Sequence, residues 1–378
     1  MNDSSPLQSL PGAAAGLWAA GARVRAWMYK AGVLRQKRLR AKVVSIGNIT
    51  WGGTGKTPLT IWLASRLEEA GVIVSILTRG YGRASAERVK ILPAGTPPAQ
   101  ARNDGDEVQL YLRHLRNVPI GISASRYEAG CRLEEQGAPA AHLLDDGFQH
   151  LALARDLDLV LIDATNPWGN HGRAAKLMRE SLNALRRADA ILLTRCELVD
   201  ALPTERARLE QLQTTLHRAN PAAPQFQVRT RLLHFVDHLS KAACSVADMR
   251  RQRVVAFCGL GNPGNFFSLL ETEEIRPVAR KVFCDHHRYA TEEIRSLETL
   301  ARENEADCFL TTEKDLVNLP QDARFSLPVY WTAIEPVVQE EGRLLQLIRQ
   351  RLGLSAESVS SQARLTDTTR KQEVSATL

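Results

Sequence analysis

The sequence predicts an α/β protein: a parallel-sheet domain of the P-loop NTPase type, a second, smaller α/β domain behind it, and an N-terminal amphipathic helix in front. Three observations predict it. The apolar run Val43-Val44-Ser45-Ile46 empties into Thr50-Trp51-Gly52-Gly53-Thr54-Gly55-Lys56-Thr57-Pro58, a strand feeding a glycine-rich turn that ends in Gly-Lys-Thr. A second β-branched run, Val72 to Leu77, follows one helix-length segment, Leu59 to Ala70, and such a βαβ unit implies a parallel sheet covered by helices. A further strand pattern opens at Arg253 to Phe257, and a chain of 378 residues, 44 % hydrophobic, is long enough for two cores.

The first element is helical and basic. No acidic residue stands between Asp3 and Glu68, whereas Arg23, Arg25, Lys30, Arg35, Lys37, Arg38, Arg40 and Lys42 lie within that stretch. They account for an excess at least as large as the formal +7 of the whole chain. Within Gly12 to Leu34, Leu17, Val24, Met28 and Ala31 fall in one stripe at helical spacing, with Arg23 and Lys30 on another side and Trp18 and Trp27 nearby. No uncharged apolar run reaches the roughly 18 residues of a spanning helix, and no secretory cleavage site is evident. The pattern fits a helix lying in the headgroup layer of an anionic membrane, each Lys or Arg adding on the order of 1 kcal/mol. The plainer alternative is a helix packed on the body with a solvated basic face. Charge gathered on one helix, without a recognised binding module, argues against a nucleic-acid partner.

The glycine-rich turn comes next. Gly52, Gly53 and Gly55 permit close approach of successive N–H groups to phosphate oxygens, Lys56 would reach the β/γ-phosphates, and the Thr57 hydroxyl would complete the coordination of Mg²⁺. The helix from Pro58 aims its positive end at the anion. Thr50 stands where the strict pattern wants glycine, so the loop is a variant. Further strands are expected at Val118 to Ser123, His142 to Leu144, Leu157 to Ile162 and Ala190 to Thr194, then at Val278 to Cys284 and Asp307 to Thr311. The organisation is a membrane-associating helix over 1–40, a P-loop domain over 41–224, a linker or hairpin over 225–236, the smaller domain over 237–353, and a polar, disordered tail over 354–378. Cys131, Cys196, Cys244, Cys258, Cys284 and Cys308 show no metal-ligand spacing and read as buried, reduced thiols.

Four constellations besides the loop bear on chemistry. Asp145 and Asp146 end a strand where a Mg²⁺-holding carboxylate belongs in such a fold, although an Asp-Asp-Gly turn can also be a solvated one. Asn103-Asp104-Gly105-Asp106-Glu107 offers a general base for phosphoryl transfer or simply a turn with a helix cap. Cys284-Asp285-His286-His287 offers an oriented base or surface polar residues, and lacks the further ligands a metal needs. Gly259-Leu260-Gly261-Asn262-Pro263-Gly264 matches the dinucleotide fingerprint formally, with Asp285 at a suitable distance, but Pro263 removes a donor where the helix should open, and a glycine turn explains it as well.

Taken together, these residues resemble one family, the tetraacyldisaccharide 4'-kinases or lipid A 4'-kinases. The resemblance is carried by Ile46-Gly47-Asn48-Ile49-Thr50 with the loop after it, by Thr78-Arg79-Gly80-Tyr81-Gly82, Gly105-Asp106-Glu107, Asp145 to His150, and Thr311-Thr312-Glu313-Lys314-Asp315, in order from about 40 to about 320. Thr50 belongs to that family's own version of the loop. The resemblance implies an ATP- and Mg²⁺-dependent kinase that phosphorylates the 4'-hydroxyl of a membrane-embedded tetraacyldisaccharide 1-phosphate to give lipid IVA. It also implies the cytoplasmic face of the inner membrane of a Gram-negative bacterium. By resemblance, Lys56 and Thr57 serve the nucleotide and metal, Asp145 and Asp146 the metal, and Asp106 with His286 the acceptor proton. Arg79, Glu107, Arg126, Arg179 and Glu180 are candidate substrate or phosphate contacts.

Two departures stand out. Val108 replaces the proline usual after Gly-Asp-Glu, and Ala174-Ala175-Lys176-Leu177-Met178 replaces Leu-Pro-Ala-Gly-Pro ahead of Arg179-Glu180, so that loop need not keep the same shape. The competing reading is a membrane-associated P-loop GTPase or ATPase, since Thr194-Arg195-Cys196-Glu197 occupies the strand end where GTPases read guanine.

Overall fold

The computed structural model describes residues 21, 24–29, 31–81, 83, 87–169, 178–200 and 203–354. The expectations placed on Leu17, Trp18, Arg23, Lys30, Ala174 to Leu177 and the tail from 355 lie outside them. Strand β1 (Lys42–Asn48) is buried after Lys42, as a parallel strand covered on both faces must be. It pairs in parallel with β5 (Ala141–Asp145) and β6 (Leu157–Asp163). Beyond β5 lie β2 (Val74–Thr78) and β4 (Ile120–Ser123), then β3 (Val89–Leu92), antiparallel at the edge. Beyond β6 lies β7 (Ala190–Thr194). The crossover helix α1 (Lys56–Glu69) buries Leu59, Leu63 and Leu67, one face at helical spacing. Helices α2 (Asp106–His114), α3 (Arg126–Gln136) and α4 (Pro203–Ala219) also belong to this first lobe.

The segment expected as a linker or hairpin is instead one long strand, β8 (Gln225–Asp237). Its first residues pair in parallel with β7; from Val228 onward it runs antiparallel to β13 (Val329–Val338), with a bulge between Ala333 and Ile334. A short strand, β9 (Ala243–Cys244), pairs with its end. The second lobe is the parallel set β11 (Ala279–Val282), β10 (Val254–Cys258) and β12 (Cys308–Thr312), joined to β13. Its helices are α5 (Val246–Met249), α6 (Pro263–Thr272), α7 (Thr291–Glu303) and α8 (Glu313–Leu316). One continuous sheet therefore spans both lobes, and β8 with β13 forms the bridge.

The expected boundary at 237–353 is crossed by the last helix among the described residues. Helix α9 (Glu341–Leu352) buries Leu344, Ile348 and Leu352 in the first lobe's core, against α1 and its strands. Arg66 reaches Glu341 at 2.8 Å and Arg351 reaches Asp189 at 2.8 Å across that contact. The chain leaves the first lobe through β8 and returns through β13. Among the described residues, no helix is long and apolar enough to cross a membrane.

Candidate active site

The phosphate loop is shaped by backbone needs. Gly52 and Gly55 have φ of 106° and 86°, the left-handed region where a side chain is strained. Helix α1 begins at Lys56, two residues before the expected Pro58, and no side chain caps it, so its first N–H groups are left for an anion. Within the loop Asn48 Nδ2 donates to Thr54 Oγ1 at 3.1 Å, and Thr194 Oγ1 donates to the Thr54 carbonyl at 3.0 Å. Thr50 needs no glycine because its backbone stays out of the left-handed region, and it bridges Met178 in antiparallel fashion. Arg179 therefore reaches the cleft wall despite the altered residues before it, its backbone N–H donating to Ile49 O at 2.8 Å.

Opposing charges crowd the end of β5. Asp146, at φ 48°, accepts Arg179 Nη1 on both carboxylate oxygens, at 2.6 and 2.7 Å, and Lys56 Nζ stands 3.4 Å away. Burial works against its charge, but Lys56 and Arg179 prevail and hold its carboxyl well below the usual range. Asp145 goes the other way, raised by burial and by Asp146 beside it. Its Oδ1 is buried with no well-aligned hydrogen bond, Thr78 Oγ1 approaches Oδ2 at 3.4 Å, and the Tyr111 hydroxyl also faces the carboxyl. An orphaned carboxylate oxygen next to a second carboxylate, with the Thr57 hydroxyl on the same cleft, fits a hard divalent cation. Among the described residues no cage of three or more His, Cys, Asp or Glu side chains exists.

Across the cleft, the two lobes meet at a carboxylate–imidazole pair. Asp106 opens α2, and His286 Nδ1 lies 2.8 Å from its Oδ2, 180 residues away in sequence. Lys314, the second residue of α8, donates to Asp285 Oδ1 at 2.9 Å and to His286 Nε2 at 3.3 Å, and its Nζ is 3.8 Å from Asp106. An ammonium only donates, so Nε2 accepts, Nδ1 carries the hydrogen, and Asp106 receives it. Burial works to raise the Asp106 carboxyl, yet the His286 hydrogen bond and Lys314 outweigh it and hold it at about 2. Glu107 is pushed well above its ordinary value, by burial first and then by Asp145 and Asp106.

The cleft wall contains Gly52 to Thr57, Arg79, Glu107, Arg126, Asp145, Asp146, Arg179, His286 and Lys314. Asp106 and Glu180 stand one layer behind. Glu180 is occupied by Arg187 at 2.9 Å and Gln149 at 3.1 Å. Arg179 stacks on Trp51, with its guanidinium 4.6 Å from a ring centroid. Arg126 is buried, and burial lowers it while Asp146 draws it back. His150, also on the wall, is pushed down to about 4 by burial and by Arg126 and Arg25, so it is neutral near pH 7.

Two expectations resolve differently. The paired histidines part company: His286 turns to Asp106, and His287 turns to Glu293 at 2.7 Å. The glycine turn at 259–264 is no dinucleotide site, because a Cβ on Gly261 would stand 2.9 Å from Gly53 N and 3.0 Å from Gly52 Cα. It is the place where the second lobe lies on the phosphate loop. Arg195, at the strand end compared with a guanine-reading position, is bound to Asp163 at 2.6 Å. The sequence gives no sign of the part Lys314 plays, because nothing local to 311–315 says which helix α8 faces.

A phosphate-cradling loop, an acid pair at the neighbouring strand end and a carboxylate–imidazole pair closing the cleft define a P-loop phosphotransferase. The family model described as Tetraacyldisaccharide-1-P 4'-kinase matches residues 10–353, and the chain belongs to that family. It is 40 % identical over 288 residues to the tetraacyldisaccharide 4'-kinase of Syntrophobacter fumaroxidans, covering 76 % of this chain and 74 % of that protein. It is 34 % identical over 350 residues to that of Koribacter versatilis, covering 89 % and 98 %. The crystal structure of LpxK from Aquifex aeolicus in complex with ATP matches with a TM-score of 0.67 at 27 % identity, covering 89 % of this chain and 97 % of that one.

Proposed function

We propose that this family member transfers the γ-phosphoryl group of ATP to the 4'-hydroxyl of a tetraacyldisaccharide 1-phosphate, giving lipid IVA in lipid A biosynthesis. The observation that carries this reading is a single cleft with the phosphate loop on one wall and His286 and Lys314, with Asp106 behind them, on the other. At about 1620 Å³ it exceeds the roughly 300–1,000 Å³ of a one-ligand pocket, which leaves room for donor and sugar together. The backbone of Gly52 to Gly55 and Lys56 hold the phosphates. Thr57, Asp145 and Asp146 would hold Mg²⁺, whose chemistry is to offset charge on the β- and γ-phosphates.

Asp106 and His286 together handle the hydroxyl proton. A carboxyl held near 2 is a weak base, which suffices because the transition state of phosphoryl transfer is loose and positioning supplies most of the rate. Glu107, which keeps its proton more readily than an ordinary glutamate, can donate to a phosphate oxygen. Arg79 and Arg126 supply positive potential, Arg179 braces Asp146, and Glu180 holds Gln149, which Arg179 also approaches.

The described turns of the N-terminal helix leave Val24 and Trp27 exposed at 57 % and 63 %, while Arg25 lines the cleft. Apolar side chains in the headgroup layer with a cation at the cleft mouth would let the sugar enter while acyl chains stay in the leaflet. The setting is the cytoplasmic face of an anionic inner membrane, peripheral to it, with no nucleic-acid partner. The test is phosphate transfer from γ-labelled ATP to the disaccharide 1-phosphate by the purified chain, with and without Mg²⁺. Labelled lipid that requires Mg²⁺ is expected. Rapid acceptor-free hydrolysis, or a strong preference for GTP, would overturn the reading.

A further inference from the structure

The cysteines were expected to be buried, and Cys196, Cys258 and Cys308 are, but Cys284 is exposed. It lies on the cleft wall immediately before Asp285 and His286. Its Sγ is 3.2 Å from His287 Nδ1. The other ring nitrogen, Nε2, is 2.7 Å from Glu293 Oε2, which also accepts the Ala290 backbone N–H at 2.9 Å. A carboxylate accepts, so Nε2 carries the hydrogen and Nδ1 presents its lone pair to the thiol. The ring is held in place: Phe283 stacks on it at 4.8 Å between centroids, and Tyr289 meets it edge-on at 5.0 Å. Nucleophile, base and orienting acid therefore stand in series, each within hydrogen-bond reach of the next. Among the described residues, no other cysteine has an imidazole against its sulfur.

We propose that Cys284 is a site of reversible S-thiolation by low-molecular-weight disulfides, and that the adduct shuts the kinase. His287 Nδ1 takes the thiol proton, and the Cys284 thiolate attacks one sulfur of the disulfide. A new S–S bond forms to Cys284, the old one breaks, and the departing thiolate takes a proton from the imidazolium to leave as a free thiol. The disulfide is reduced by two electrons, and Cys284 with one equivalent of thiol is oxidised into the mixed disulfide. The adduct then stands on the wall beside His286, where the acceptor must approach. The loss of activity rests on that placement of the acceptor; the thiolation itself does not.

The experiment exposes the full chain to oxidised glutathione at pH 7, measures adducts on each cysteine by mass spectrometry, and follows lipid phosphorylation in parallel. Cys284 is expected to react about tenfold or more faster than the partly exposed Cys131 and Cys244, with activity lost at the same rate and restored by dithiothreitol. Cys284→Ser should stay active and insensitive, and His287→Gln and Glu293→Gln should each slow the adduct about tenfold. Equal rates at the three thiols, or a Cys284 rate untouched in both variants, overturns the activated thiol. Complete adduct with full activity overturns the shut-off, and because adducts are read by mass, thiolation is judged separately from phosphoryl transfer.

Discussion

Lys314 decides which nitrogen of His286 carries hydrogen, and through it where Asp106 points. Replacing it by methionine keeps the length and removes the donor to Nε2 and the countercharge to Asp106 and Asp285. Lys314→Met should lower kcat by roughly 10²-fold or more while triphosphate binding holds, as steady-state rates and direct nucleotide titration would read. An unchanged kcat would remove Lys314 from the mechanism. Asp106 itself links stability to acidity. Its folded value of about 2 lies below the ordinary 3.8, so its contribution is present above about pH 4 and lost as pH falls through about 2. Urea melts of wild type and Asp106→Asn should therefore differ by roughly 2 kcal/mol near neutrality and converge between about pH 4 and 2. A constant difference across that window would mean the carboxyl is not held down by its neighbours.

At the scale of elements, local signals were readable and non-local pairing was not. The strand, glycine loop and α1 were legible because apolar runs, glycines and the Gly-Lys-Thr end occur within one short stretch. Residues 225–236 read in sequence as a linker or hairpin because alternation in a half-exposed strand looks the same whether its partner is nearby or, like β13, about a hundred residues on. No local pattern marks strand β13: Pro336 and Glu335 interrupt it, and only pairing with β8 makes it a strand. The Gly259 to Gly264 turn shows the same limit, since its glycines answer to the phosphate loop of the other lobe. In Gly261→Ala the new Cβ would meet the backbone of Gly52 and Gly53, which cannot yield as a flexible side chain can. Overpacking of about 1–3 kcal/mol there should weaken triphosphate binding about tenfold or more, with Tm little changed. Isothermal titration checks this, and wild-type affinity would mean the turn does not rest on the loop.

For the whole molecule, the site exists only when two lobes carried by one pair of strands are brought together. Besides Asp106 with His286, the contacts across the cleft include His114 to Glu313 at 2.8 Å and a cluster around Asp163 at the end of β6. Asp163 holds Arg195 from its own lobe and receives Asn265 Nδ2 at 3.1 Å and, at 3.4 Å, Asn262 Nδ2 from the other, while Thr165 Oγ1 meets Asn265 Oδ1 at 2.9 Å. This cluster touches neither the acid pair nor Lys314, yet it binds the start of α6 to the sheet that carries the phosphate loop. Losing it should favour the open arrangement and so act on catalysis through the fraction of closed molecules. Asp163→Ala is accordingly expected to enlarge the radius of gyration in small-angle scattering and to lower kcat/KM about tenfold or more. Arg231→Ala, which breaks an exposed pair with Glu335 on the bridging strands, should do neither, since such pairs contribute about 0–1 kcal/mol. If Asp163→Ala lowered kcat/KM with unchanged scattering in the presence of ATP, Asp163 would act on the reacting groups directly rather than by joining the lobes.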